Sequence, residues 1–201
     1  MIKPAFIDMS HHNVRSYEPA KKKLGILGVI HKCTEGTTFA DKMRVQRFEL
    51  ALKSRLLWGL YHFIRPGKII EQANWFVKSS QGCADKNTLY ALDWEDAGVS
   101  IDDALTFLRE VERLTYHQPV IYSGHVMKEK LAGKPHDELS NYRLWLAQYT
   151  SGTPTLPPGW TKYWGWQFTD RGEVPYVEPP TDMNAASHNT ADELRADWSG
   201  A

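Results

Sequence analysis

Short apolar runs alternate with amphipathic stretches through the first two thirds of the chain. Five runs are too short for buried helices and rich in β-branched and aromatic residues: 5–9 ("AFIDM"), 26–33 ("ILGVIHKC"), 56–64 ("LLWGLYHFI"), 88–95 ("TLYALDWE") and 119–123 ("PVIYS"). Each predicts a buried strand. Between the second and third, Met43, Val45, Phe48, Ala51 and Leu52 fall near one face of a helix within 41–55. After the fourth, Ile101, Ala104, Leu105, Leu108 and Val111 repeat at i, i+3, i+4 and i+7 with charges opposite. Ser100 is the expected N-cap of that helix, with Asp102 and Asp103 at the positive end of its dipole. A further helix is expected across 69–80. Strands and helices in this alternation imply parallel strands joined by crossovers.

From about residue 143 the rhythm changes. "RLWLAQY" and "YWGWQF" predict two more strands, but the Pro-, Gly- and Thr-rich "TSGTPTLPPGWTK" between them cannot be a crossover helix. A third extended piece is expected in "EVPYVEPPTDMN", followed by a short helix with Thr190 and Glu193 as its capping box. A full (β/α)₈ barrel takes about 250 residues. With 201 residues, the chain predicts an α/β fold of one domain, 1–201: an irregular TIM-like (β/α) barrel with helices missing in the C-terminal third.

Charge narrows the range of partners. Lys plus Arg equals Asp plus Glu at 24 each, so no global field favours nucleic acid or an anionic membrane, and neither is expected as a partner. Lys21 to Lys23 read as a solvated helix end. No apolar run approaches the roughly 20 residues needed to span a bilayer, and "MIKPAFIDMS" lacks the apolar stretch of a secretory signal. The product as written is therefore expected in the cytoplasm when made. Two cysteines, Cys33 and Cys83, are too few for a disulfide scaffold and are expected to stay reduced. Eight Trp and nine Tyr carry polar tips that must find partners or reach water, which suits either a wet groove or core packing.

The candidate chemistry is acidic. In "LYALDWEDAG" alternate side chains on a strand lie about 6.6 to 7 Å apart, so Asp93 and Glu95 share a face while Leu92 and Trp94 take the other. Two carboxyls so placed resist ionising together, and one keeps its proton nearer neutral pH, as a general acid requires. Asp96, at the following turn, reads as a solvated residue. A D-x-E pair alone is weak, but Asp8 ends the first strand, Glu35 follows the second and Asp182 stands near the last. A barrel gathers strand ends around one mouth. Four histidines, His11, His12, His31 and His62, lack ligand spacing, so no metal is expected; His31 and His62 read as packing residues. Ser123 lacks the context of a nucleophile elbow.

Taken in order, "FIDMSHHN", "GVIHKCTEGTTFADK", "WGLYHFIRPGK", "LYALDWE", "PVIYSG", "LWLAQY", "PPGWTKYWGWQFTDRGEVPYV" and "TDMN" resemble the motifs of the Chalaropsis-type lysozymes, glycoside hydrolase family 25. The resemblance covers about residues 5–184 and leaves a tail, 185–201. It implies an irregular barrel and a muramidase that hydrolyses the β-1,4 bond between N-acetylmuramic acid and N-acetylglucosamine. By resemblance Glu95 matches the family's general acid and Asp93 its partner. Asp8 and Asp182 match the other acids of the cleft, and Lys32, Tyr61, Tyr122 and Gln148 fall in motifs that line the groove. The chain departs from the usual pattern at Cys33, at Trp94 and after "TDMN".

The implied partner is a peptidoglycan glycan strand, met by a monomer without a cofactor. The setting expected is an endolysin released by phage lysis, or an effector exported by a dedicated machine. Two other readings stay open on sequence. A non-catalytic wall-binding module would bind peptidoglycan without cutting it, and a metal-dependent barrel hydrolase would lose activity in chelator.

Overall fold

The computed structural model describes residues 2–201. In chain order these form β1 (Phe6–Met9), α1 (Glu18–Leu24), β2 (Gly28–Glu35), β3 (Phe39–Ala40), α2 (Arg44–Lys53), β4 (Leu57–Phe63), α3 (Ile69–Ser80), β5 (Leu89–Asp93) and α4 (Ile101–Thr115). The later elements are β6 (Val120–Ser123), α5 (His125–Leu131), β7 (Arg143–Ala147), β8 (Gly165–Gly172), β9 (Thr181–Ala186) and α6 (Ala191–Asp197). Eight strands close in the order β1-β2-β4-β5-β6-β7-β8-β9, with β9 returning to β1 and the two-residue β3 appended to β2. The fold is the expected irregular α/β barrel. No helix among the described residues is long and apolar enough to cross a membrane.

Seven strands run parallel, and β9 is antiparallel to both of its neighbours. The exception follows from the connection. Residues 173–180 contain no helix, so the chain turns back rather than crossing over, and a direct return places the next strand antiparallel.

Strand alternation sorts the core into two layers. Phe6, Ile30, Leu89, Ala91, Val120 and Trp145 fill the barrel, while Ile7, Val29, Leu92, Ile121, Leu144 and Leu146 pack outward under the helices. Because both faces are buried, the strands read as continuous apolar runs. Six of the eight tryptophans, Trp58, Trp94, Trp145, Trp164, Trp166 and Trp198, are buried, so most of the indole content serves packing.

The lower end of the barrel is closed by α6. Its Thr190–Glu193 capping box forms as expected, and Leu194 and Trp198 enter the interior layer. Trp198 packs 5.6 Å from Phe6 and 5.5 Å from Trp164 between ring centroids, and its Nε1 donates to Trp58 O at 2.7 Å. Gly28 makes this possible, since a Cβ there would stand 2.5 Å from the Trp198 ring. The segment 185–201, read from sequence as a tail outside the family pattern, thus completes β9 and the barrel floor.

Three further differences have local causes. The strand expected over 88–95 stops at Asp93, because the chain leaves β5 as Trp94 turns its ring into the outer core and donates Nε1 to Val99 O at 3.2 Å. Only the end of the extended piece expected over 173–184 is strand. Helices α1 and α5, seven residues each, are too short to show a clear period; Lys21, Lys22 and Lys23 lie in the last turn of α1, where cations suit the dipole. Ser100 caps α4, and Asp103 completes a capping box. Cys33 and Cys83, distant in sequence, are buried free thiols, and Cys83 Sγ donates to Ser80 O at 3.3 Å.

Candidate active site

The inward positions at the upper strand ends are polar. Asp8 on β1, Tyr61 on β4, Asp93 on β5, Tyr122 on β6, Gln167 on β8 and Asp182 on β9, with Glu95, Trp145 and Tyr149, line a pocket of about 170 Å³. Asp8 and Asp182 are register partners across β1 and β9, so strand pairing alone sets them side by side.

Asp8 is held as an acceptor. Gln167 Nε2 donates to its two oxygens at 3.2 and 3.0 Å, and Asn184 Nδ2 donates at 2.8 Å. Both amides are fixed from behind: Trp145 Nε1 donates to Asn184 Oδ1 at 2.7 Å, and the Tyr122 and Tyr149 hydroxyls donate to Gln167 Oε1 at 2.9 and 2.8 Å. Burial nevertheless pushes Asp8 up to about 6 from 3.8, against the pull of these donors. Asp182 rises to about 8, first by burial, then by the Asp8 charge and the hydrogen bond between them. Two carboxyls paired across β1 and β9 resist ionising together, and the donors around Asp8 favour its anionic form over that of Asp182.

Asp93 is buried, and its Oδ1 has no hydrogen-bond partner. Burial first, and the Glu95 charge second, raise its proton affinity well above the ordinary value, with Lys32 opposing. Glu95 lies beyond the strand end, with its side chain open to the cleft. The walls around its carboxyl raise its pKa by desolvation, opposed by His125. Ser123 Oγ is buried and donates to Trp94 O at 2.6 Å, which pins the segment carrying Glu95 to β6.

A second trough of about 310 Å³ adjoins the pocket and shares Glu95 and Tyr149 with it; Gly124, His125, Lys128, Ala147 and Gln148 complete its walls. A larger cavity of about 410 Å³ lies around Tyr142, Arg143, Trp160 and His188, and of the four acids it holds none.

The expected site residues therefore divide into three groups. Asp8, Asp93, Glu95, Asp182, Tyr61 and Tyr122 meet in one pocket. Gln148 lies in the adjoining trough, accepting from Lys128 Nζ at 2.7 Å and Thr155 N at 3.2 Å. Lys32 stands at the rim, 2.6 Å from Glu35 Oε2, with its ammonium over the rings of Phe39 and Phe63. Glu35 also binds Arg65, which reaches Asp96 at 3.0 Å. Glu35 is thus neutralised in a rim ion network, and Asp96 is an ion-pair partner in that network. His62 is a packing residue, bonded to Thr34 and Gln72, and His31 stacks on Trp58 with its Nε2 3.4 Å from Asp41.

Gln167, Asn184, Trp145 and Tyr149 were not among the residues expected from sequence. The available signal was period-two alternation, which sets Asn184 on the face of Asp182 and Gln167 on the face of Gly165.

The family described as Glycosyl hydrolases family 25 matches this chain over residues 7–177. An uncharacterised protein, YegX, of Escherichia coli (strain K12) is 31% identical over 175 residues, covering 82% of this chain and 60% of that protein. Lysozyme M1 of Streptomyces globisporus is 26% identical over 200 residues, covering 92% of this chain and 68% of that protein. Among solved structures, a family 25 lysozyme from Aspergillus fumigatus superposes with a TM-score of 0.82 at 28% identity, over 96% of this chain and 98% of the other. The chain spans about 60% of the length of the first curated relatives it matches.

Proposed function

This chain belongs to glycosyl hydrolase family 25, and on that footing we propose that it is a peptidoglycan muramidase, cleaving the β-1,4 bond between N-acetylmuramic acid and N-acetylglucosamine. The observation that carries the reading is the convergence of four carboxyls, borne by β1, the β5 end and β9, on one pocket where burial raises every one of their pKa values.

Glycoside hydrolysis needs a proton for the leaving oxygen and negative charge for the oxocarbenium-like transition state. Glu95 supplies the proton. It is the one acid common to the pocket and the trough, so a bond passing from one to the other presents its bridging oxygen at that carboxyl. Its raised proton affinity keeps the acid form populated closer to neutral pH. The sugar that takes positive charge occupies the pocket, facing Asp93 and the Asp8–Asp182 pair. Asp8 stays anionic because three donor contacts hold it so, and Asp93 has an unpaired oxygen for a polar group of the sugar. Preorganised charge in a pocket partly shielded from water is worth more than the same charge in water.

Tyr61 and Tyr122 wall this pocket, Gln148 the leaving side, and Lys32 moderates the acid field from the rim. The chain acts as a monomer on the glycan strand, reaching the cell wall after release from the cytoplasm. Mass spectrometry of soluble fragments from purified peptidoglycan tests the activity. Fragments ending in reducing muramic acid are the expected product. Fragments ending in reducing glucosamine, or no fragments, reject the reading.

A further inference from the structure

The trough beside Glu95 contains a cation that the acid chemistry leaves unused. Lys128 on α5 is half-buried and donates from Nζ to Gln148 Oε1, a neutral amide, at 2.7 Å. Among the described residues it forms no ion pair with a carboxylate. Desolvation lowers its proton affinity, and no neighbouring anion offsets that effect. This sets it apart from Lys32, whose charge is met by Glu35 at 2.6 Å. A partly desolvated ammonium without a counterion costs free energy, which a bound anion would return. His125 lies three residues earlier on the same helix, hence on the same face, is exposed and lines the same trough.

The pocket next door has the opposite character, with four acids in it. A substrate that is neutral at the cleaved bond and anionic beside it would match both halves. The muramyl residue fits that description, because its O3 carries a lactyl group that is either a free carboxylate or the attachment point of an acidic stem peptide.

We propose that the trough is an anion subsite in which Lys128, with His125 at its entrance, receives a carboxylate carried on the O3 arm of the muramyl residue on the leaving side, next to the leaving glucosamine. The inference rests on the muramidase reading. A planar acceptor meeting Lys128 Nζ makes a charge-assisted hydrogen bond, and Gln148 positions the ammonium for it.

The test uses two pairs of substrates. One pair is glycan strands bearing stem peptides with free carboxylates, and the same strands with those carboxylates amidated. The other is strands stripped of peptide, which expose the lactyl carboxylate, and the same strands amidated at that group. The measurement is kcat/KM for the wild type, Lys128→Met and Lys128→Arg.

Wild type should prefer the carboxylate member of one pair by about tenfold, Lys128→Met should bring that ratio close to one, and Lys128→Arg should keep most of it. A preference within the first pair identifies the stem peptide as the source, and within the second pair the lactyl group. Raising ionic strength should weaken the wild-type preference, which tests the subsite without any variant. Lys128→Met keeping the wild-type ratio, or a preference indifferent to salt, overturns the proposal. Equal cutting of all four substrates by wild type overturns the subsite alone, whereas no cutting of any overturns the muramidase reading and the subsite with it.

Discussion

At the floor of the barrel Trp198 places its single polar group on a backbone carbonyl and surrounds the rest of its ring with Phe6 and Trp164. At the mouth, on the same strands, Asp93 is buried with an oxygen that no group satisfies, and burial beside Asp8 pushes the pKa of Asp182 up to about 8. The floor is assembled from groups whose needs are met within the chain. The mouth is assembled from groups whose needs are not, which on the muramidase reading a sugar would meet. Stability and chemistry are thereby segregated along the barrel axis, as barrel enzymes generally separate them, and substitutions at the two ends should have separable effects.

The largest effect is expected at the mouth. Glu95→Gln removes the proposed proton donor from a side chain open to solvent, so activity on peptidoglycan should fall about 10²- to 10⁴-fold while the thermal midpoint stays where it was. Near wild-type clearing of purified peptidoglycan by this variant would reject Glu95 as the acid. Trp198→Ala should do the reverse: a loss of about 3 to 5 kcal/mol in urea unfolding, with the turnover of the remaining folded protein unaltered. A loss below about 1 kcal/mol would mean that the floor is sealed by something other than this ring.

Asp182 couples the two properties. Its pKa is about 8 in the folded chain against 3.8 ordinarily, so the native state binds the proton more tightly than the unfolded one. The folded state is then unpenalised below about pH 4 and loses stability as pH rises through the folded value near 8. Asp182→Asn removes that penalty. It should stabilise the protein at pH 8 by about 1 to 2 kcal/mol, water in the open cleft damping the full shift, and should change nothing at pH 4, while activity falls at both. Thermal melts at the two pH values decide the matter, and a stability gain independent of pH would contradict the raised pKa of Asp182. The smallest effect is expected at the rim, where Glu35→Gln disconnects an exposed network and should cost less than about 1 kcal/mol in urea unfolding.

The division between mouth and floor also governs how much the sequence disclosed. Strands β1, β2, β4, β5 and β6 were legible because burial on both faces leaves a continuous apolar run, and the acids because a carboxyl at the end of such a run is conspicuous. Glu95 was placed on the correct side of the barrel although the strand ends two residues before it, since the chain keeps its alternation past the last ladder bond. Gln167 and Asn184 were invisible for a different reason. A neutral amide in a strand carries no signature, and these two gain meaning only when barrel closure brings them to Asp8, 159 and 176 residues away in sequence. Lys128 escaped notice in a seven-residue helix too short to show a period, and the part played by 185–201 was hidden because a tryptophan in a tail looks like any surface aromatic until the cavity it fills exists.

The order of the elements has a consequence for how the molecule is made. Strand β9, which bridges β8 and β1, and the helix that closes the floor both follow residue 180. While the ribosome has yet to deliver them, β1 and β8 present open hydrogen-bonding edges and the interior is wet. The nascent chain is therefore exposed to self-association until residues 181–198 emerge, and only then can the barrel become a closed ring.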